Sequence, residues 1–362
     1  MIREIEQESF VVSAPGSVCL LGEELGWLGL RTLHMAIGFR VYVAVEPRPD
    51  ELFRVELEEE DDVVEFVPLR GLGAEGLDDP LRRAVDLLGR EGLEFGRGST
   101  FQIRGDMPSV MGLGRSAARM VAWVTALLQL RGRLEDYSAQ RIAALAREAA
   151  SVEADEPVEE TEFLISATGG ANVVNHGEGG ALTPITRRLD GLIIADVLRD
   201  GEAPVDRAAL RAIAVEAEGM LQELDPSVDL RTAAEDELFG ALNRLPERVA
   251  CAAYALAVDR GLTEKALELL QADSFDQDAF GELVDSHHEM LRDNLGVAAP
   301  RIEQIIEVCK KAGALGCKIN ADCGRTASVY APGRVLQVAA AIREAAARPY
   351  PVTKTHGVSF EG

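Results

Sequence analysis

The stretch at residues 105–124, GDMPSVMGLGRSAARMVAWV, decides how the chain is read. Phe101, Gln102 and Ile103 before it read as a strand that Pro108 stops. Gly112-Leu113-Gly114 then supplies two positions where backbone can take φ > 0 and approach a ligand closely. Ser116 stands at the start of a helix that runs on through Ala117, Ala118, Met120, Val121 and Val124. The free N–H groups of that first turn, with the helix dipole behind them, make an anion site that needs no cationic side chain. A glycine pair at a helix start also describes a tight packing turn, so the rest of the chain has to decide.

Composition narrows the classes. A chain of 362 residues with 47% hydrophobic content has room for about two domains and a sizeable core. The 61 acidic side chains against 37 basic ones give a formal charge of -24, which repels a phosphate backbone and argues against a nucleic-acid partner. No run approaches the ~20 apolar residues of a membrane helix, and the opening MIREIEQESF is acidic with no apolar core, so a cytoplasmic protein without a membrane partner is expected. Cys19, Cys251, Cys309, Cys317 and Cys323 are scattered and odd in number, and read as reduced thiols.

Working outward, residues 10–12 and 18–21 read as strands on either side of a Ser13–Ser17 turn, and the second strand ends at Gly22-Glu23-Glu24. Residues 39–45, 53–57 and 63–67 alternate as strands, the last two as a hairpin. Residues 81–88 and 139–150 read as helices, an acidic loop occupies 153–162, and the apolar run LIIADVL at 192–198 reads as a buried strand closing the first half. Residues 206–292 are helical in period, broken at Pro226 and Pro246. A helix at 301–311, strands at 315–320 and 326–330, a helix at 335–346 and a strand at 350–355 make an α+β close.

The segment at 12–37, VSAPGSVCLLGEELGWLGLRTLHMAI, resembles the first motif of the GHMP kinases, the family of galactokinase, homoserine kinase, mevalonate kinase and phosphomevalonate kinase. PSVMGLGRSAA resembles their second motif, the glycine-serine phosphate loop. KINADCGRTASV at 318–329 resembles the third in placement, and DSHHEMLRDNLG at 285–296 is similar to the segment before it in the galactokinase branch. The resemblance implies an α/β (α+β) chain of two domains, 1–200 and 201–362. The first is similar to the second domain of ribosomal protein S5 and carries the phosphate loop; the second is ferredoxin-like, with an ATP cleft between them. It also implies transfer of the γ-phosphoryl of ATP, with Mg²⁺, to a hydroxyl of a small molecule, a sugar being the nearest acceptor.

Carried over residue by residue, the resemblance puts Gly112, Leu113, Gly114, Arg115, Ser116 and Ala117 on the nucleotide, and Ser116 with Glu153 on Mg²⁺. Glu23 and Glu24 fall at the acceptor-side turn, and Lys318 opens the third motif. Counting back from Gly169-Gly170 puts Glu162 where the family carries its catalytic aspartate. Glu162 keeps a base of similar pKa with one methylene more of reach. Other positions depart from the family. Its first-motif arginine is Ser17, the histidine and aspartate at the sugar are Glu24 and Gly26, and a loop serine is Arg115. Only Gly324 remains of the third-motif glycines, among Ala321, Asp322, Cys323 and Arg325, and the side chains of Asp322 and Arg325 are expected to crowd a backbone that in the family approaches the ligand.

Duller readings apply as well. Trp27 and Trp123 suit packing, His34 suits a core hydrogen bond, and His287 and His288 suit a polar helix with one of the two exposed. Two function classes follow: an ATP-dependent small-molecule kinase with an atypical site, and a pseudokinase that retains the fold as a nucleotide- or sugar-binding or regulatory protein. A mevalonate-pathway decarboxylase is a distant third. The loop and Glu162 point to the first; Ser17, Glu24, Gly26 and the third motif point to the second. Fold alone does not choose between them.

Overall fold

The computed structural model describes residues 8–23, 25–58, 61–68, 79–106, 113–151, 159–197, 207–297, 299–320 and 324–361. In chain order the first elements are β1 (Phe10–Leu21), β2 (Arg31–Pro47), β3 (Phe53–Leu57), β4 (Asp62–Phe66), α1 (Pro80–Arg90), β5 (Ser99–Gly105), α2 (Arg115–Leu130), α3 (Ala139–Ala150) and α4 (Thr161–Thr168). There follow β6 (Ala171–Asn175), β7 (Ala181–Ile185), β8 (Leu192–Asp196), α5 (Arg207–Leu224), α6 (Glu235–Leu242), α7 (Glu247–Gln271) and α8 (Gln277–Glu289). The chain closes with α9 (Pro300–Lys311), β9 (Gly316–Ile319), β10 (Thr326–Tyr330), α10 (Val335–Glu344), β11 (Arg348–Val352) and β12 (Ser359–Glu361).

Packing gathers the described residues into two units that interleave along the chain. One takes Met1–Ser17, Ala36–Gly170 and Thr355–Gly362; the other takes Val18–Met35 and Ala171–Lys354. In the first, strands lie in the order β12-β1-β2-β5-β3-β4, antiparallel where β2 meets β5 and parallel where β3 meets β5. A chain of aromatic rings ties this sheet to α2. Phe66 meets Phe53 edge-on, Phe53 meets Phe101 at 4.9 Å, and Phe101 meets the fully buried Trp123 at 4.6 Å. Trp123 Nε1 donates to the Leu81 carbonyl at 3.0 Å, so this ring is a packing element with its one polar atom satisfied. Helix α2 is buried almost all round because α1, α3 and α4 all pack on it, and its alanines admit that close approach.

The expected turn at Ser13–Ser17 is not formed: β1 runs unbroken through Pro15 and Gly16. Strand β12 pairs only with Val11, Val12 and Ser13, so the proline, which has no N–H to give, falls past the end of that partner.

In the second unit a four-stranded antiparallel sheet runs β11-β8-β10-β9. With α9 and α10 it makes the strand-helix-strand-strand-helix-strand pattern of a ferredoxin-like fold. The LIIADVL strand, expected to close the first half, lies inside this sheet, buried at every position of β8. Helices α5, α6 and α7 enclose a separate core around Leu221, Leu238, Leu256 and Ala253. Among the described residues no helix is long and apolar enough to cross a membrane.

In the first unit α4 ends on Gly169, at φ 73° and ψ -171°, a combination open essentially to glycine alone. A Cβ there would lie 2.0 Å from the Gly357 nitrogen. Gly169→Ala is therefore expected to cost about 2 kcal/mol or more, from strain and overpacking together. Urea denaturation measures it, and a loss below ~0.5 kcal/mol would show that the two backbones are not so close.

Candidate active site

The expected phosphate loop is built from backbone. Leu113 and Gly114 take φ values of 53° and 68°, both left-handed, and Gly114, which has no side chain to cap with, is the N-cap of α2. The turn is held from two sides: Ser17 N–H donates to the Leu113 carbonyl, and Ala118 N–H to that of Gly114, each at 2.8 Å. A Cβ at Gly114 would fall 2.6 Å from Ser17 Oγ. Ser17, standing where the resemblance expects an arginine, is thus buried directly against the loop. Ser116 is exposed at the second position of α2, Arg115 is half-buried and Ala117 is buried. Gly112 lies outside the described residues.

Glu162, half-buried, holds the second position of α4. That helix packs on both α2 and α3, and Arg147 of α3 reaches Glu160 at its N-cap at 3.5 Å. Among the described residues no cluster of three His, Cys, Asp or Glu side chains is arranged as a metal site. The hydroxyl of Ser116 and the carboxylate expected at Glu153 are hard oxygen donors of the kind Mg²⁺ takes, and Glu153, like Glu24, lies outside the described residues.

The second unit holds a set of charges that the sequence reading largely missed. Gly22, at φ 84°, leads into a tight turn in which Leu25 N–H donates to its carbonyl. A Cβ at Gly22 would come within 3.1 Å of the Arg31 carbonyl and of Thr263 Oγ1 on α7. The next residue, Glu23, is 9% exposed and meets Lys318 at 0%: Nζ donates to Glu23 Oε2 at 2.7 Å and to the Ile319 carbonyl at 3.0 Å. His287, also fully buried, sets Nδ1 2.8 Å from Asp259 Oδ1 and Nε2 3.6 Å from the same Glu23 oxygen. Two buried carboxylates thus alternate with two buried cations.

Burial alone would neutralise each member. For Glu23 that cost is outweighed by Lys318 and His287, which hold the carboxyl at about 2. Burial likewise pulls His287 down, but Asp259 and Glu23 overcome it and leave the imidazole up at about 9. Asp259 is raised, burial being the largest cause, with His287 opposing it.

His287 and His288 are therefore not surface residues. Adjacent positions on a helix point ~100° apart, so the two reach different elements. His288 Nε2 lies 3.0 Å from Glu303 Oε1 on α9, and its Nδ1 accepts from Ile319 N–H at 3.3 Å. Beyond them α8 passes into a π-helical turn over Met290–Asn294. Leu256, Leu262 and Thr263 at i-3, i+3 and i+4 place Asp259 on the buried face of α7, a signal present in the sequence. His287, spaced likewise from Val284 and Leu291, carried the same signal. Arg325 does not turn its charge loose at the third motif, since its Nε binds Asp196 Oδ1 at 2.8 Å. Ala321, Asp322 and Cys323 lie outside the described residues.

Two family models match the chain: "Galactokinase galactose-binding signature" over residues 3–47 and "GHMP kinases N terminal domain" over residues 80–156. The mevalonate kinase of Thermococcus gammatolerans is 26% identical over 353 residues, covering 94% of each chain; that of Pyrococcus furiosus is 25% identical over 353 residues, also covering 94% of each. Among solved structures, Lactococcus lactis galactokinase complexed with galactose superposes with a TM-score of 0.80 at 18% identity, covering 98% of this chain and 95% of the other. The Methanococcus jannaschii mevalonate kinase gives 0.71 at 14%, covering 97% and 100%.

The shifted groups set a pH dependence. His287 is raised from 6.5 to about 9, so the stability it contributes is complete below pH 6.5 and is lost as pH rises through about 9. Glu23 is lowered from 4.5 to about 2, so its contribution is complete above pH 4.5 and is lost as pH falls towards 2. The urea midpoint is expected to fall as pH is raised from 6.5 to 9, and His287→Gln should flatten that fall while lowering stability throughout. An unchanged slope in the variant would mean that His287 is not protonated in the fold.

Proposed function

Because the chain belongs to the GHMP kinase superfamily, whose members are ATP-dependent kinases, we propose that it transfers the γ-phosphoryl of ATP to a hydroxyl of a small molecule, most nearly a sugar. The observation that carries this reading is the left-handed entry into α2 at Leu113-Gly114, with glycine as the N-cap, inside the segment matched by the GHMP N-terminal model. Backbone amides there suit the phosphates of ATP, and Ser116 is exposed on the first turn to take Mg²⁺ or a phosphate oxygen. Such sites act by positioning and charge neutralisation more than by covalent chemistry. Glu162 takes the proton of the acceptor hydroxyl, and Glu23 is the acceptor-side contact on the turn that follows β1. The galactose-binding signature over residues 3–47 supports a sugar acceptor, while the mevalonate kinase relatives make mevalonate the competing one.

Ser17 in the family's arginine position favours a second reading, a nucleotide-binding protein without turnover, because a charge is missing beside the loop. The two separate in one set of assays with [γ-³²P]ATP and galactose, mevalonate or homoserine. Glu162→Gln should lower kcat by ~10²–10⁴ with the KM for ATP little changed. Gly114→Val, which sets a side chain into Ser17, should abolish transfer altogether. Full activity in the Glu162 variant would remove it as the base, and no transfer by the wild type to any acceptor would favour the second reading.

A further inference from the structure

The proposed reaction uses Glu23 but leaves the buried charges behind it without a task. An aspartate in the middle of a 25-residue helix and a histidine in the last turn of the next helix are costly choices for core positions. Removal of both in favour of apolar residues would make a simpler core, since buried ion sets are often neutral or worse for stability. Their geometry points to a directional use. Asp259 Oδ1 takes His287 Nδ1 at 2.8 Å, which turns Nε2 toward Glu23. The 3.6 Å from Nε2 to Glu23 Oε2 is longer than a hydrogen bond, and the 2.7 Å from Lys318 Nζ to that same oxygen is not. Both cations thus draw on one oxygen of the carboxylate and fix its rotation about the Cγ–Cδ bond. Thr263, one turn beyond Asp259 on α7, sets its hydroxyl against Gly22, so a single helix limits both the backbone and the side chain of the turn. The groups facing His287 are Asp259 from α7, Glu23 from the turn and Lys318 from β9, with His288 beside it on α8.

We infer that Asp259 and His287 are positioning residues for the phosphoryl acceptor: they act through Glu23, holding its carboxylate in one orientation at the acceptor-side turn. This rests on the kinase reading above. A carboxylate held in one rotamer binds an acceptor hydroxyl without first being ordered, so loosening it weakens acceptor binding and leaves the nucleotide alone.

Two measurements on the full chain test the inference. In the first, Asp259→Asn and His287→Gln should each raise the KM for the accepted substrate, galactose or mevalonate, by ~10-fold or more, with the KM for ATP within about twofold of wild type. The double variant should be no worse than the poorer single one, because both changes break the same chain. In the second, ¹⁵N-histidine NMR should show both ring nitrogens of His287 protonated at pH 7.5 in the wild type, and one of them deprotonated in Asp259→Asn. Equal changes in both KM values, or none, would overturn the positioning role while leaving the kinase intact. A doubly protonated His287 in a wild type that transfers phosphate to none of the acceptors would retain the charge network and overturn its assignment to an acceptor.

Discussion

The ion pair between Glu23 and Lys318 sets the terms for the second unit. Both side chains are almost wholly withdrawn from water, and an isolated charge in such a place costs several kcal/mol even after relaxation. The pair persists because a third group, His287, stands beside it, itself held by the buried carboxyl of Asp259. Supplying those partners dictates much else. Helix α7 must bring its midpoint to the turn, which favours glycine at position 22, where φ is 84° and a Cβ would come within 3.1 Å of the Arg31 carbonyl. Helix α8 must face two ways, with His287 turned to α7 and His288 to β9 and α9.

The first unit handles charge by a different means. The anion site proposed there would be made of amides and a helix dipole, which carry no side-chain entropy and do not titrate. The condition is steric: Gly114 must hold a left-handed conformation a van der Waals contact away from Ser17. That contact gives Ser17 a reason of its own. A side chain as long as arginine would have to leave the buried position that the serine occupies, so the substitution bears on packing under the loop as well as on charge beside it. In this chain the loop and residue 17 are one structural element.

The elements easiest to read in the sequence were those with a strong period and a clear stop. The helix after the glycine loop, the helix at Ala139–Ala150 and the strand Thr326–Tyr330 all fall where residue pattern puts them. Pro15 and Gly16 misled because breaker residues mark turns only when the strand has a full partner on both sides, and β12 stops at Ser13. The LIIADVL strand was read correctly as buried but assigned to the wrong company, since burial does not say which sheet a strand joins. The histidines were misjudged because their helix is rich in charge, although the spacing from Phe280, Val284 and Leu291 already placed His287 on the apolar stripe. Arg325 looked like an intruder at the third motif for want of a partner that lies 129 residues away, at Asp196.

The measurement that bears most directly on the central claim separates occupancy from chemistry. Thermal unfolding of the full chain is followed with Mg²⁺-ATP, with Mg²⁺-ADP and without nucleotide, and the same samples are then assayed for phosphoryl transfer. A ligand that binds only the folded state raises its stability by mass action, about 2.7 kcal/mol at a hundredfold excess over Kd. The account predicts a rise in Tm with both nucleotides and transfer from ATP. No shift with either nucleotide at millimolar concentration would contradict it, because the loop at Gly114 would then have the shape of a phosphate site without the ligand.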